Sequence, residues 1–143
     1  MALGYTAQIE GAHARGNRLN ISPKHAIEIC REIKGMSVKR AKAFLNNVIA
    51  HTEFVEFKRF NKQMPHRSQG KPGRWPIKAS GYILKIVENA ESNAEQHGMD
   101  TEKLRIVHAA ANRGPTYKRR APKGRIKPSN IQTVHVEVVV KEA

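Results

Sequence analysis

Arg113, Lys118, Arg119, Arg120, Lys123, Arg125 and Lys127 fall within one stretch of sixteen residues, RGPTYKRRAPKGRIKP, that holds no acid. Fixed positive charge at that density serves one kind of chemistry, the binding of a polyanion. A second basic stretch, residues 56–80 (EFKRFNKQMPHRSQGKPGRWPIKAS), interleaves Phe57, Phe60 and Trp75 with Lys58, Arg59, Lys62, Arg67, Lys71 and Arg74. Cations beside aromatic rings can clamp phosphates and stack on exposed bases. The same rings can instead pin the loop to a core, and for each ring both readings stand.

The whole chain shares this bias unevenly. Its 143 residues carry 26 Lys plus Arg against 12 Asp plus Glu, a formal net charge of +14. No acid falls between Glu56 and Glu88, where eight basic residues lie, or between Glu102 and Glu137, where nine lie. The acids gather in helical patterns, at Glu28, Glu32, Glu88, Glu91 and Glu95. The pattern is that of a mixed-charge scaffold with two purely basic excursions. A polybasic membrane binder would share the charge, but no run approaches the roughly 18 apolar residues of a spanning helix. The first residues lack the layout of a signal peptide or a myristoylation site, and the closing KEA is no lipidation box. No membrane partner and a cytoplasmic location are expected.

Other chemistries lack their residues. The histidines at 13, 25, 51, 66, 97, 108 and 135 never take an HxxxH or HxH spacing, and one cysteine cannot complete a zinc site. Neither GxxxxGK[ST] nor GxGxxG is present. Acids are too scarce in the basic stretches for a paired-carboxylate nuclease. The expectation is therefore no catalysis, no cofactor, no metal and no small-molecule substrate. Cys30 aligns at helical spacing with Ala26, Ile29 and Ile33, as a buried structural thiol would, and a lone thiol suits a reducing compartment.

The elements that position the cations follow from periodicity. NISPKHAIEICREIKG predicts a helix with Ser22 as cap, Pro23 at its first position and Gly35 at its stop. A second helix is predicted from Ser37, where Val38, Ala41, Leu45, Val48 and Ile49 recur at three- and four-residue steps. Its other face carries Lys39, Arg40 and Lys42, either as a solvated face or as an RNA contact. Residues 56–80 have neither helical nor strand period, and a loop of that length is usually functional or disordered. Pro76 opens a third helix through Ile83, Ile86, Val87, Ala90 and Ala94, ending at His97-Gly98. Residues 103–112 (KLRIVHAAAN) and 131–140 (IQTVHVEVVV) read as strands, and residues 5–14 as a further one.

Helices in one block and strands at the end predict an α+β fold: three helices on a small antiparallel sheet, with a long projecting basic β-hairpin. One domain is expected, its body at about 1–105 and 132–143 and its hairpin at about 103–140, with the basic tip at 113–128. Arms of ten to fifteen residues extend roughly 35 to 50 Å, so most of the hairpin is expected to project.

RLNISPKHAIEICREIKGMSVKRA, KASGYILKIVENAESNAEQHGMDTEKLRI and GPTYKRRAPKGR followed by HVEVVV occur in that order. In these segments the chain resembles the universal large-subunit ribosomal protein family twenty-two, in its archaeal and eukaryotic cytosolic form. The long basic loop before the third helix is also like that form; bacterial members lack it. The resemblance implies a structural constituent of the large ribosomal subunit that binds large-subunit rRNA at several of its domains and supports assembly. It implies neighbouring large-subunit proteins as partners, a body near the mouth of the polypeptide exit tunnel, and a hairpin lining the tunnel. Arg15, Arg18 and Lys24 join the cations of the loop and arm as implied rRNA contacts. Ala121, Pro122, Lys123, Gly124 and Arg125 would form the tip that meets the nascent polypeptide. Only Lys123 separates Pro122 from the Gly124-Arg125 pair, where bacterial members usually carry two more residues, so this tip is shorter. The alternative from another class is an architectural DNA-binding protein with a basic β-arm.

Overall fold

The computed structural model describes residues 4–120, 123 and 129–143. Its main sheet has three antiparallel strands in the order β1 (Ala12–Leu19), β5 (Ser129–Glu142), β4 (Leu104–Arg119). Helix α1 (Pro23–Ile33) packs on β4, α3 (Ile77–Gln96) packs on β1 and β5, and α2 (Val38–Ile49) packs on α3. The α+β architecture expected from the sequence is the one observed.

The central strand explains its own composition. Val134, Val136, Val138 and Val140 enter the core shared with Ile29, Ile33, Leu45, Ile83 and Val87. On the alternate positions Thr133, Glu137 and Val139 are buried as well. A strand covered on both faces reads as a continuous apolar run rather than an alternation, hence HVEVVV.

The second cover is the N-terminal segment. Thr6 N–H donates to Glu137 Oε2 at 3.0 Å, and a Cβ on Gly11 would meet Val140 O at 2.4 Å and Val139 Cγ1 at 3.2 Å. The expected strand at 5–14 is therefore displaced: pairing begins at Ala12, and the preceding residues touch β5 from its outer face. Only alanines, Ala12 and Ala14, mark the buried side of β1 over its first half, so alternation is faint in the sequence.

Helix boundaries follow the local signals. Pro23 sits in the first turn of α1, although the Ser22 side chain makes no cap bond. Gly35, at φ +86°, ends it and donates its N–H to Ile106 O at 2.8 Å. The Ser37 hydroxyl accepts from Arg40 N at the start of α2, and Gly98 at φ +74° follows α3. Between α2 and α3 the aperiodic loop is closed at its root by two short strands, β2 (Val55–Glu56) and β3 (Gly73–Arg74).

β4 and β5 stay paired from Leu104↔Glu142 out to Arg119↔Ser129. Of the residues that join them, 121, 122 and 124–128 lie outside the described residues. From Asn112 to Arg120 every side-chain position is exposed except Gly114, which is half-buried, whereas β5 is buried from Thr133 to Val140 apart from His135. The body thus sheathes about half of the arm, more than its length alone predicts, because β1 pairs with β5 as far out as Leu19↔Val134. The change from sheathed to bare arm is marked by a register shift between Arg113 and Thr116. Pro115 has no N–H to give the ladder, and its carbonyl accepts from Thr133 Oγ1–H at 2.7 Å. A Cβ on Gly114 would meet that same Oγ1 at 2.7 Å and His135 Nε2 at 3.0 Å, so the position takes only glycine without a shift.

Candidate nucleic-acid interface

The basic loop is held at its root by a carboxylate. Glu28 projects from α1 and is 1% exposed. It accepts from the backbone N–H groups of Lys58 (3.3 Å), Arg59 (2.8 Å) and Phe60 (2.9 Å). A buried charge persists when hydrogen bonds replace its water, and here three consecutive amides do so. The side chains of Lys58 and Arg59 are turned outward as a consequence.

The three rings separate into different roles. Phe57 is 1% exposed and edge-on to His25 at 5.6 Å, so it pins the loop and offers no face to a base. Phe60 packs partly against the core and carries two cations, Arg59 at 5.4 Å and Lys24 at 5.8 Å from its centroid. Trp75 carries Arg67 at 4.4 Å, and His51 lies against the same ring at 5.7 Å. Cations are drawn to the negative face of an aromatic ring. Each of these two rings holds a cation on this chain.

The sequence-predicted cations differ in what surrounds them. Among the described residues, Arg18, Lys24, Arg59, Lys62, Arg67, Arg74, Arg113, Lys118, Arg119, Arg120 and Lys123 have no carboxylate within 4.0 Å. Lys58 and Lys71 flank Glu56 at 3.7 and 3.9 Å. Arg15 is half-buried and gives its Nη1–H to Gly4 O, so it braces the N-terminal segment. Arg18 is exposed, at φ +51°, with its backbone N–H directed to His135 Nδ1 at 3.3 Å. Arg125 and Lys127, with the tip residues Ala121, Pro122 and Gly124, lie outside the described residues; Lys123 is exposed. On α2, Lys39 pairs with Glu102 and Lys42 with Glu91, which favours the intramolecular reading of that face.

Loop and arm meet at a cleft of about 600 Å³. Trp75 and Lys78, Ser22 and His25, and Asn130 and Gln132 of the arm share its wall, and no acid lines it. A second cleft, of about 400 Å³, sets Arg31, Lys34 and Arg59 against Ala109–Ala111 of β4, again without an acid. His25 registers this field: burial first, then the charges of Arg74 and Lys24, lowers its pKa from 6.5. The surface that joins loop to arm is therefore positive and unpaired, the condition for receiving a polyanion.

Nothing in the described residues groups three possible metal ligands, and no helix is long and apolar enough to cross a membrane. Cys30 is buried, and burial, aided by the charge of Glu137, pushes its thiol up to about 12, the inert thiol that its helical spacing predicts. Two structural residues carry no signal in the sequence reading. Glu28 looks like any helical acid, and only its place on the buried side of α1 sets it apart. Thr133 looks like a strand residue, yet it satisfies the carbonyl that the bulge leaves open.

The family model for ribosomal protein L22p/L17e matches residues 14–141. The large ribosomal subunit protein uL22 of Methanosphaera stadtmanae is 50% identical over 137 residues, covering 92% of this chain and 89% of that protein. That of Methanococcus aeolicus is 52% identical over 137 residues with the same coverage. That of Methanoculleus marisnigri is 45% identical over 147 residues, covering 97% of this chain and 96% of the relative.

Proposed function

The chain belongs to the ribosomal protein L22p/L17e family, and from that premise we propose that it is a structural constituent of the large ribosomal subunit. It binds large-subunit rRNA through its loop and arm and sits among neighbouring large-subunit proteins. One observation carries the residue assignment. Among the described residues the cations of loop and arm, apart from Lys58 and Lys71 beside Glu56, have no carboxylate partner, and loop and arm meet at an acid-free cleft, while Lys39 and Lys42 on α2 are paired within the chain. Lys24, Lys58, Arg59, Lys62, Arg67, Lys71 and Arg74 form the contact surface on the body, with Arg18 beside the arm's root. Arg113, Lys118, Arg119, Arg120, Lys123, Arg125 and Lys127 form it on the arm.

The finer placement rests on the family resemblance and on the shape of the arm. The body lies near the outer mouth of the polypeptide exit tunnel, and the arm runs through rRNA to its wall. Residues 121–125 then face the nascent polypeptide. Support comes from the bare outer half of the arm, a two-stranded ribbon that is at best marginal in water without a partner layer. Cross-linking from Lys123 to a stalled nascent chain tests the placement, and cross-links to rRNA alone would count against it. The broader reading is tested by sedimentation. The protein should stay with large subunits through a high-salt wash that leaves the particle intact, and its release with loosely bound factors would sink the assignment. Competition between an rRNA transcript and duplex DNA separates this reading from the basic-arm DNA binder.

A further inference from the structure

Arg67 is the most constrained cation of the loop. Its guanidinium lies 4.4 Å from the Trp75 centroid, and its Nε–H donates to Gly73 O at 3.1 Å. Its backbone is fixed as well: Arg67 N donates to Lys71 O at 2.7 Å, and Gly70 N donates back to Arg67 O at 3.0 Å. His66 Nδ1 lies 2.8 Å from Gly70 O, which ties the same turn from the other side. With Nε directed at Gly73, the terminal Nη groups are left to serve something else, and among the described residues no carboxylate lies within 4.0 Å of them. Trp75, for its part, has its Nε1 buried, so the polar edge of the indole is not presented to solvent.

From this geometry we infer that Trp75 is a positioning residue: it acts on RNA through Arg67, holding the guanidinium as a preformed fork for a phosphate. The inference rests on the reading that the loop binds rRNA and adds which ring serves which cation. The physical gain is entropic. A free arginine loses rotamer freedom when it captures a phosphate, whereas one already stacked and hydrogen-bonded loses less. Phe60, with Arg59 and Lys24 at 5.4 and 5.8 Å, repeats the arrangement less tightly.

The test is a two-residue cycle read as affinity for a large-subunit rRNA transcript at several salt concentrations. Arg67→Ala should weaken binding and make the salt dependence shallower by about one unit of slope, as the loss of one phosphate contact does. Trp75→Leu should weaken binding about twofold to tenfold, the range expected for one side chain that must now be immobilised on binding, with the slope unchanged because the charge remains. Trp75→Phe should restore much of the affinity. In an Arg67→Ala background Trp75→Leu should add nothing. An equal loss from Trp75→Leu whether or not Arg67 is present would overturn the inference, because the indole would then act on RNA or on the fold by itself. No effect of Arg67→Ala would overturn it too, while leaving rRNA binding by the other cations intact. A readout without RNA guards against a misfolded variant. The Arg67 Nε–H should exchange slowly in the wild type and in Trp75→Phe, and fast exchange in the wild type would refute the preformed fork.

Discussion

Replacing Glu28 with Gln removes a charge without opening a cavity, and its cost follows from the three amides it serves. Bonds from Arg59 at 2.8 Å and Phe60 at 2.9 Å are strong, and that from Lys58 at 3.3 Å is weak. A hydrogen bond to an ionised group contributes about 1.5–3 kcal/mol, roughly twice a neutral one. Gln can keep a neutral carbonyl at Oε1 for the Arg59 and Phe60 N–H groups, but it then turns an amide donor toward the Lys58 N–H, which cannot receive it. The net loss should be about 1.5–3 kcal/mol, the equivalent of one charged bond. For a domain of this size that lowers Tm by roughly 3–12 °C. Thermal denaturation reads the loss, and hydrogen exchange at residues 58–60 locates it. The rRNA affinity should fall as well, since Arg59 and Lys58 are aimed by this backbone. An unchanged Tm with wild-type protection at residues 58–60 would show that the carboxylate does not hold the loop.

Binding of the free protein to an rRNA transcript should fall by about three to five decades between 50 and 200 mM salt if six to ten phosphates are neutralised; a flat dependence in a filter-binding series would contradict the electrostatic reading. Replacing Lys58, Arg59 and Lys62, all exposed, together with Ala should weaken that binding while shifting Tm little, because solvated charges contribute little to folding; a large drop in Tm would assign them to the fold instead. His25 has its pKa lowered from 6.5 by burial, Arg74 and Lys24, so its contribution to stability is present above that value and lost as pH falls below it. Phosphates drawn to Lys24 and Arg74 should raise that pKa in the complex, and an NMR titration showing no rise would place the RNA elsewhere. In the free protein the amides of residues 117–119 should exchange far faster than those of Val138–Val140, and equal protection would mean that the bare arm orders itself.

The sequence is most informative where one period dominates and least where tertiary contacts decide. Val38, Ala41, Leu45 and Val48 repeat at helical steps and are all fully buried, and the cap and stop signals at Pro23, Gly35 and Gly98 fall where the helices turn. The start of β1 is hard to place from the sequence because Tyr5 and Ile9 offer apolar residues while the strand itself, AHARGNRL, is polar. Its burial comes from α3 packing above it, where a Cβ on Gly16 would meet Ile86 Cδ1 at 2.6 Å. That is a contact across 70 residues of chain, and no local window contains it. Composition identified the candidate interface, since a density of cations is visible at any fold. Which cations are paired depends on which acids the fold brings near, and so Lys42 and Arg67 look alike in the sequence and differ in the structure.

The fate of the acids shows how a body that needs carboxylates coexists with a strongly basic surface. Glu28 and Glu137 are the buried charged residues among those described, and each stands at the root of one basic excursion. Glu28 secures the loop from beneath. Glu137 is the single acid between Glu102 and Glu142, on the strand that becomes the arm. Thr6 N donates to its Oε2, His108 Nε2 lies 3.3 Å from its Oε1, and Asn112 Nδ2 donates to Thr6 Oγ1 at 2.8 Å. Burial alone would raise its pKa, yet the hydrogen bonds from Thr6 and the approach of His108 more than offset this, and the carboxyl lies below the usual 4.5. It therefore stays ionised in the fold at neutral pH, tying the N-terminal segment across β5 and β4 just inside the bulge at Gly114-Pro115. A charge enclosed in this way is largely hidden from a polyanion outside. The buried acids hold the roots of the loop and the arm, and of the described loop and arm cations beyond them only Lys58 and Lys71, beside Glu56, have a carboxylate within 4.0 Å.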